Sequence, residues 1–338
     1  HDPGGASDRG GQNSSTTHKA PHPPNTPRTR RRRPGARDYH DEACRQSPDS
    51  CLESQLFCLT AGWRASHYAP PVHADYDVVV IGSGFGGSVS ALRLTEKGYR
   101  VGVLEAGRRY RTGDFATTNW DLRRFLWGPR LGLYGIQRID LLANVLVLSG
   151  AGVGGGSLVY ANTHYEPHDA FYTDPQWRSI TDWKRELEPF YALAKRMLGV
   201  VAGTADTPAD DVMRAIAKRL DVEDTFRPTP VAVYFGEPGV EADDPYFGGV
   251  GPRRAGCTLV GACMVGCNNN AKNTLDKNYL YLAEQAGAVV HAETEATDIE
   301  HLPDGRRRVT TRTPGPRSGR GRRTFTACLL YTSPSPRD

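Results

Sequence analysis

One succession of residues constrains this chain more than any other: a strand, a glycine turn and a helix, with nothing between them. Asp75-Tyr-Asp-Val-Val-Val-Ile81 is a short β-branched run, the pattern of a strand covered on both faces of a parallel sheet. It runs directly into Gly82-Ser-Gly84-Phe85-Gly86-Gly87. Ser88 to Lys97 then carries Val89, Ala91 and Leu92 at helical spacing and stops at Gly98, a residue suited to a left-handed helix end. Arg100 to Glu105 reads as a second short strand closing on an acid.

Each glycine has a mechanical reason. Gly82 permits the tight turn out of the strand, Gly84 lets backbone approach a pyrophosphate, and Gly87 lets the helix pack close to the sheet. The helix N-terminus offers free N–H groups and about half a positive charge to phosphates. Glu105, 18 residues past Gly87, is placed to accept hydrogen bonds from adenosine ribose hydroxyls. A lone GxGxxG is weak evidence, but here strand, helix, second strand and acid all flank it, and together they predict a Rossmann-type dinucleotide site.

A second glycine cluster, Ser149-Gly150-Ala-Gly-Val-Gly154-Gly155-Gly-Ser157-Leu-Val-Tyr160, favours FAD over a nicotinamide. A nicotinamide site needs one pyrophosphate cradle, whereas a buried flavin needs further close backbone contact along its length. Apolar residues before (Val145 to Leu148) and after (Leu158 to Tyr160) argue against a merely flexible loop. The predicted fold is α/β, a Rossmann-type FAD-binding domain with a parallel central sheet; a β-meander and an incomplete α+β substrate domain are added by the family resemblance that follows.

Residues 75–110, 150–167 and 251–282 together resemble the glucose-methanol-choline (GMC) oxidoreductases, and among them the actinobacterial cholesterol-oxidase-type members. The resemblance runs from about residue 75 to residue 327, its motifs covering part of that span. It implies FAD as cofactor and oxidation of a secondary alcohol, a sterol such as cholesterol, by hydride transfer to flavin with dioxygen as acceptor. It also implies peripheral membrane contact for sterol access. By the same analogy Gly82, Gly84, Phe85, Gly86, Gly87 and Glu105 hold the ADP half, while Gly150, Gly154, Gly155, Ser157 and the stretch to Asn162 lie along the pyrophosphate and ring. The sterol enzymes often carry Asn-Gly where this chain has Tyr160-Ala161-Asn162, which leaves the contacts beneath the ring open.

General bases contribute roughly 10²–10⁴-fold to such reactions. The family's His and Asn near the ring are expected beyond residue 338, so no catalytic residue is assigned and the chain alone is expected to be inactive. His164 and His168 read as ordinary polar loop residues. The same cofactor could serve a dehydrogenase that passes electrons to an acceptor other than oxygen.

Composition bounds what remains. Residues 1–74 hold ten Lys/Arg against seven Asp/Glu, and the other 264 residues hold 32 against 31, so the globular part is nearly neutral and no nucleic-acid surface is expected there. The first 74 residues are Pro-, Ser-, Gly- and Arg-rich and include the run Arg30 to Arg33; they read as a disordered or non-native tail, with translation beginning near Val72. A different class of reading makes that tail a nucleic-acid-binding arm on a flavoprotein. No apolar segment follows the arginines, so no signal peptide is assigned, and no run of 18 apolar residues predicts a membrane span. Residues 328–338 resemble translated sequencing adapter and are set aside from fold reasoning. The expected layout is thus a tail at 1–74, a partial FAD domain at 75–327 with the start of a substrate domain inserted at about 165–250, and an adapter-like end at 328–338.

Three finer expectations complete the reading. Cys257, Cys263 and Cys267 are spaced C-x5-C-x3-C, three thiolates where an iron–sulfur cluster takes four, so they are read as packed loop cysteines and no metal is assigned. Asp182 to Met197 predicts a helix whose Trp183, Leu187, Phe190, Tyr191 and Ala194 face the core. A strand begins at Ala288 to His291, and Asp298 to Thr311 predicts a hairpin turning at Asp304-Gly305.

Overall fold

The β-branched run is a strand because both of its faces are covered. In the structure, a computed structural model that describes residues 74–315 and 321–332, β1 spans Tyr76–Ile81, α1 Phe85–Glu96 and β2 Val101–Leu104. Val78, Val79 and Val80 are buried, as are Val101, Val103 and Leu104 opposite them. On α1 it is Ala91, Leu92 and Thr95 that face inward; Val89, which shares their spacing, points outward and is exposed.

A hairpin of β3 (Gln137–Leu141) and β4 (Leu146–Gly150) delivers the chain to the second glycine cluster. Two longer helices follow, α2 (Trp183–Met197) and α3 (Pro208–Arg219). The Asp182 side chain accepts a hydrogen bond from the Arg185 backbone N–H and starts α2 where the sequence places it. The expectation that its aromatic face is core is corrected: Phe190 is 65% exposed, Trp183, Leu187, Tyr191 and Ala194 are half-buried, and only Met197 at the end is buried. The stripe is real, but few apolar partners stand against it among the described residues.

Helix α4 (Tyr279–Gln285) returns to the first unit, where Tyr279, Leu280 and Ala283 share one core with Ala91 and Leu92 of α1 and Val101 and Val103 of β2. Strands β5 (Val289–His291), β6 (Glu295–His301), β7 (Arg307–Arg312) and β8 (Arg323–Thr332) then complete a six-stranded sheet in the order β5-β2-β1-β8-β7-β6. Strands β5, β2, β1 and β8 run parallel, and β8, β7 and β6 form an antiparallel meander, so the parallel sheet and the meander are one surface. The β6–β7 hairpin turns where expected, with Gly305 at φ +85° and its N–H bonded to the Leu302 carbonyl at 3.0 Å.

Strand β8 does two jobs. Its first half pairs antiparallel with β7 (Val309 opposite Phe325), and from Ala327 it pairs parallel with β1, placing Leu329 beside Val78 and Thr332 beside Ile81. Residues 328–332, set aside on sequence grounds, therefore continue the strand next to β1. Leu-Leu-Tyr-Thr is an apolar, β-prone run that suits such a position whatever its origin. The Arg30 to Arg33 run, Val72, Cys44, Cys51 and Cys58, and residues 333–338 lie outside the described residues. Among the described residues no helix is long and apolar enough to cross a membrane.

Candidate dinucleotide site

The site is built where β1 ends. Gly82 adopts φ +89°, a conformation that costs other residues, and its N–H donates to the Leu104 carbonyl at 2.8 Å, turning the chain off the strand. A methyl group on Gly87 would collide with the Gly82 carbonyl oxygen and stand 3.2 Å from Val80 Cγ1, so Gly87 is what lets α1 lie against β1. Gly84 precedes the first residue of α1, and a methyl group there would meet nothing within 4 Å. The turn is thus tight where it touches protein and open at Gly84. Gly86 lies in the first turn of α1, and Phe85, 42% exposed, opens the helix.

The second cluster closes on the first. A methyl group on Gly155 would lie 2.7 Å from Gly84 Cα, and one on Gly150 would collide with the Gly155 carbonyl. The Gly154 N–H donates to Ser83 Oγ at 3.0 Å. Gly154 and Gly155 hold positive φ, +108° and +52°, before a short 3₁₀ turn, Gly155–Leu158. Ser157, fully buried, fixes that turn by donating to the Gly154 carbonyl at 2.7 Å and accepting from the Leu275 N–H at 3.0 Å.

Glu105 ties these pieces together. It is 6% exposed, and its Oε2 accepts from the Ser83 N–H (3.1 Å) and hydroxyl (2.6 Å). Its Oε1 accepts from the N–H groups of Gly107 (2.8 Å) and Gly152 (3.3 Å). A carboxylate offers about four acceptor positions, and here protein donors engage them, so a ribose hydroxyl at Glu105 would have to share these bonds. Sequence reasoning found the acid and the glycines but passed over Ser83, the spacer between Gly82 and Gly84, which links Glu105 to Gly154. It also passed over Gly107 and Gly152, where a side chain on Gly107 would collide with the Gly152 backbone. An unusual density of glycine was the one available signal for that contact.

Beyond the 3₁₀ turn, the Tyr160 ring meets Phe85 edge-on at 5.9 Å, and its hydroxyl donates to the Asn273 carbonyl at 3.0 Å. Tyr160 therefore stands against the first residue of α1. Burial drives its phenol well above the ordinary range. Asn162 is buried at φ +56°; its carbonyl accepts from the Ala232 N–H at 2.8 Å and its side chain hydrogen-bonds Cys263. Lys272, 1% exposed, donates to the carbonyls of Leu158 (2.9 Å) and Cys263 (2.7 Å), with its Nζ 4.7 Å from the Tyr160 ring centre. Burial pushes this amine down to about 7.

Of the remaining candidates, His164 joins this cluster and His168 does not. His164 leans on Tyr160, its Nε2 3.2 Å from the hydroxyl, and burial lowers its pKa; His168 is exposed and precedes the short helix Asp169–Tyr172. Cys257, Cys263 and Cys267 are free and half-buried, and among the described residues no group of three or more His, Cys, Asp or Glu could hold a metal ion.

Comparisons with known proteins place the chain among such architectures. A family described as NAD(P)-binding Rossmann-like domain matches residues 80–131. The chain is 58% identical over 261 residues to cholesterol oxidase of Mycobacterium tuberculosis, covering 76% of this chain and 45% of that protein. It is 48% identical over 232 residues to cholesterol oxidase of Acinetobacter baumannii, covering 68% of this chain and 42% of that protein. To an uncharacterised GMC-type oxidoreductase of Mycobacterium tuberculosis it is 30% identical over 233 residues, covering 67% and 32%. The chain spans about half the length of the cholesterol oxidases it matches.

Proposed function

Starting from a chain that is homologous to the GMC-type oxidoreductases, we propose that it cradles FAD as part of an oxidoreductase acting on the CH–OH group of a sterol such as cholesterol, with dioxygen as electron acceptor. The observation that carries the reading is the contact between two glycine segments 71 residues apart, Gly155 against Gly84. A cofactor with one diphosphate and a short reach needs only the first turn. Two glycine turns pressed together make a continuous floor of backbone, which suits a cofactor that extends from the ADP half to a buried ring.

On this reading Gly82, Gly84, Phe85, Gly86, Gly87 and Glu105 serve the ADP half, Gly84 giving the open approach and the first amides of α1 the attraction for phosphate. Gly150, Gly154, Gly155, Ser157 and Asn162 serve the remainder, Ser157 holding the turn and Asn162 its exit. Bound flavin supplies the hydride acceptor for alcohol oxidation. The chain's own residues supply orientation and exclusion of water: the buried Ser83–Glu105 pair fixes both turns, and Tyr160 and Phe85 wall one side. A sterol held in a lipid surface would be reached by peripheral contact, for which the outward apolar face of the β3–β4 hairpin (Ile139, Leu141, Leu146 and Leu148, all exposed) is the available surface.

The test is flavin content of the purified chain and, because the chain alone is expected to be inactive, turnover of the full-length protein that contains it. Bound FAD, with hydrogen peroxide released in step with cholesterol consumed, is the expected result. Cholesterol-dependent flavin reduction without peroxide in air would move the acceptor from oxygen to another carrier, and protein that binds no FAD would contradict the reading outright.

A further inference from the structure

Among the described residues two buried side-chain polar atoms have no hydrogen-bond partner, and they lie two residues apart: Asp276 Oδ1 and Asn278 Nδ2. Unsatisfied buried polar atoms are rare in native proteins, because each costs roughly 1–3 kcal/mol. Asn278 is 2% exposed; its Oδ1 accepts from the Tyr279 N–H at 2.6 Å, which leaves the amide nitrogen as the unmatched end. Lys277 between them donates to the Lys272 carbonyl at 3.4 Å and so serves the protein.

The position of Asp276 is what makes the pair informative. A methyl group on Gly154 would lie 3.6 Å from Asp276 Oδ1 and 3.6 Å from the Asp276 backbone nitrogen, so the unmatched oxygen faces the second glycine turn. Leu275, next in the chain, is bonded through its N–H to Ser157 of that turn. Gly154 in turn is bonded to Ser83 of the first turn. Residues 82–84, 154–157 and 275–278 are therefore one connected wall, and the third stretch is the one bearing unmatched polar groups.

Their chemistry selects a ligand group. A carboxylate repels a diphosphate, so Asp276 calls for an O–H or N–H donor, and the Asn278 amide calls for an acceptor. A hydroxyl is both, and the polyol of FAD lies next along the cofactor from its diphosphate. Resting on the FAD reading above, we propose that Asp276 and Asn278 form a third element of the cofactor cradle, which binds the ribityl hydroxyls and not the ADP half.

The purified protein, stripped of cofactor, is titrated with FAD and separately with ADP, for the unmodified chain, Asp276→Ala and Asp276→Asn. A hydrogen bond to a charged group predicts that Asp276→Ala weakens FAD about tenfold or more, leaves ADP within about twofold, and that Asp276→Asn, which keeps one acceptor oxygen, falls between. Asp276 is also the carboxylate whose charge favours the protonated forms of the buried Arg254, Lys272 and Lys277. If balancing those cations is its whole role, the Ala variant will weaken FAD and ADP equally or leave FAD unchanged, and either result overturns the assignment. ADP binding without FAD binding in the unmodified protein would instead overturn the FAD reading, and this assignment with it.

Discussion

Helices α1 and α2 make opposite cases. Helix α1 has a short, imperfect apolar stripe, with Val89 outside it, yet Ala91, Leu92 and Thr95 are buried. Helix α2 has a well-formed stripe through Trp183, Leu187, Phe190, Tyr191 and Ala194, yet buries only Met197 among its fifteen residues. What differs is the neighbour. Glycine at position 87 brings α1 onto β1, and α4 covers it from the other side, whereas α2 meets few apolar partners among the described residues. Spacing tells which residues share a face; it does not tell what stands opposite. A glycine that lets two backbones meet is the stronger guide to burial.

Substitutions can break this contrast. The largest effect is expected at Gly87→Val, whose side chain would collide with the Gly82 carbonyl: about 3 kcal/mol or more of stability should be lost, seen as a large fall in the denaturant midpoint. Glu105→Ala leaves the donors on Ser83, Gly107 and Gly152 buried without their acceptor and should cost roughly 2–3 kcal/mol in the same experiment. A smaller loss there would mean that the two turns are held by glycine contact alone.

Lys272 gives a pH signature. Its amine is pushed from the ordinary 10.5 down to about 7 by burial, so between those pH values the unfolded chain binds more protons than the folded one. Its contribution to stability should therefore become more favourable as pH rises from 7 towards 10.5, and be least favourable below pH 7, where folding must bury the charge. Cys263, Cys267, Asp276 and Lys277 are the titratable groups that bear on it. Lys272→Met should flatten this rise in a series of unfolding curves; an unchanged slope would show that the amine is not the group responsible. At the small end, Phe190→Ser on α2 should shift stability by no more than about 0.5 kcal/mol, because the ring is already 65% exposed. A loss of several kcal/mol would mean that α2 is covered after all, and the contrast with α1 would fail.

Much of the fold was legible where the information is local. Strand β1, the turn at Gly82, helix α1, strand β2, the start of α2 and the hairpin at Gly305 all depend on residues within one turn or one strand of each other. Less legible was anything set by partners distant in sequence. That Ser83 carries the link between Glu105 and Gly154 depends on bonds across 22 and 71 positions. Nor does a run such as Asn273-Thr-Leu-Asp-Lys-Asn278 announce two unmatched polar groups; Asp276 and Asn278 stand out only once Gly154 is seen beside them. The same limit holds for residues 328–332, whose composition suggested an origin while their β-prone side chains settled a place beside β1.

The central claim is that the open side of the first glycine turn is where FAD lies, and Gly84→Val addresses it most directly. A methyl group at Gly84 meets no protein atom within 4 Å, so the variant should fold and melt with the unmodified protein, unlike Gly87→Val. FAD affinity, measured by titration of the cofactor-free proteins, should nonetheless fall about 100-fold or more, since the added side chain occupies the approach to the diphosphate. A Gly84→Val protein that melts normally and retains full flavin would contradict the account.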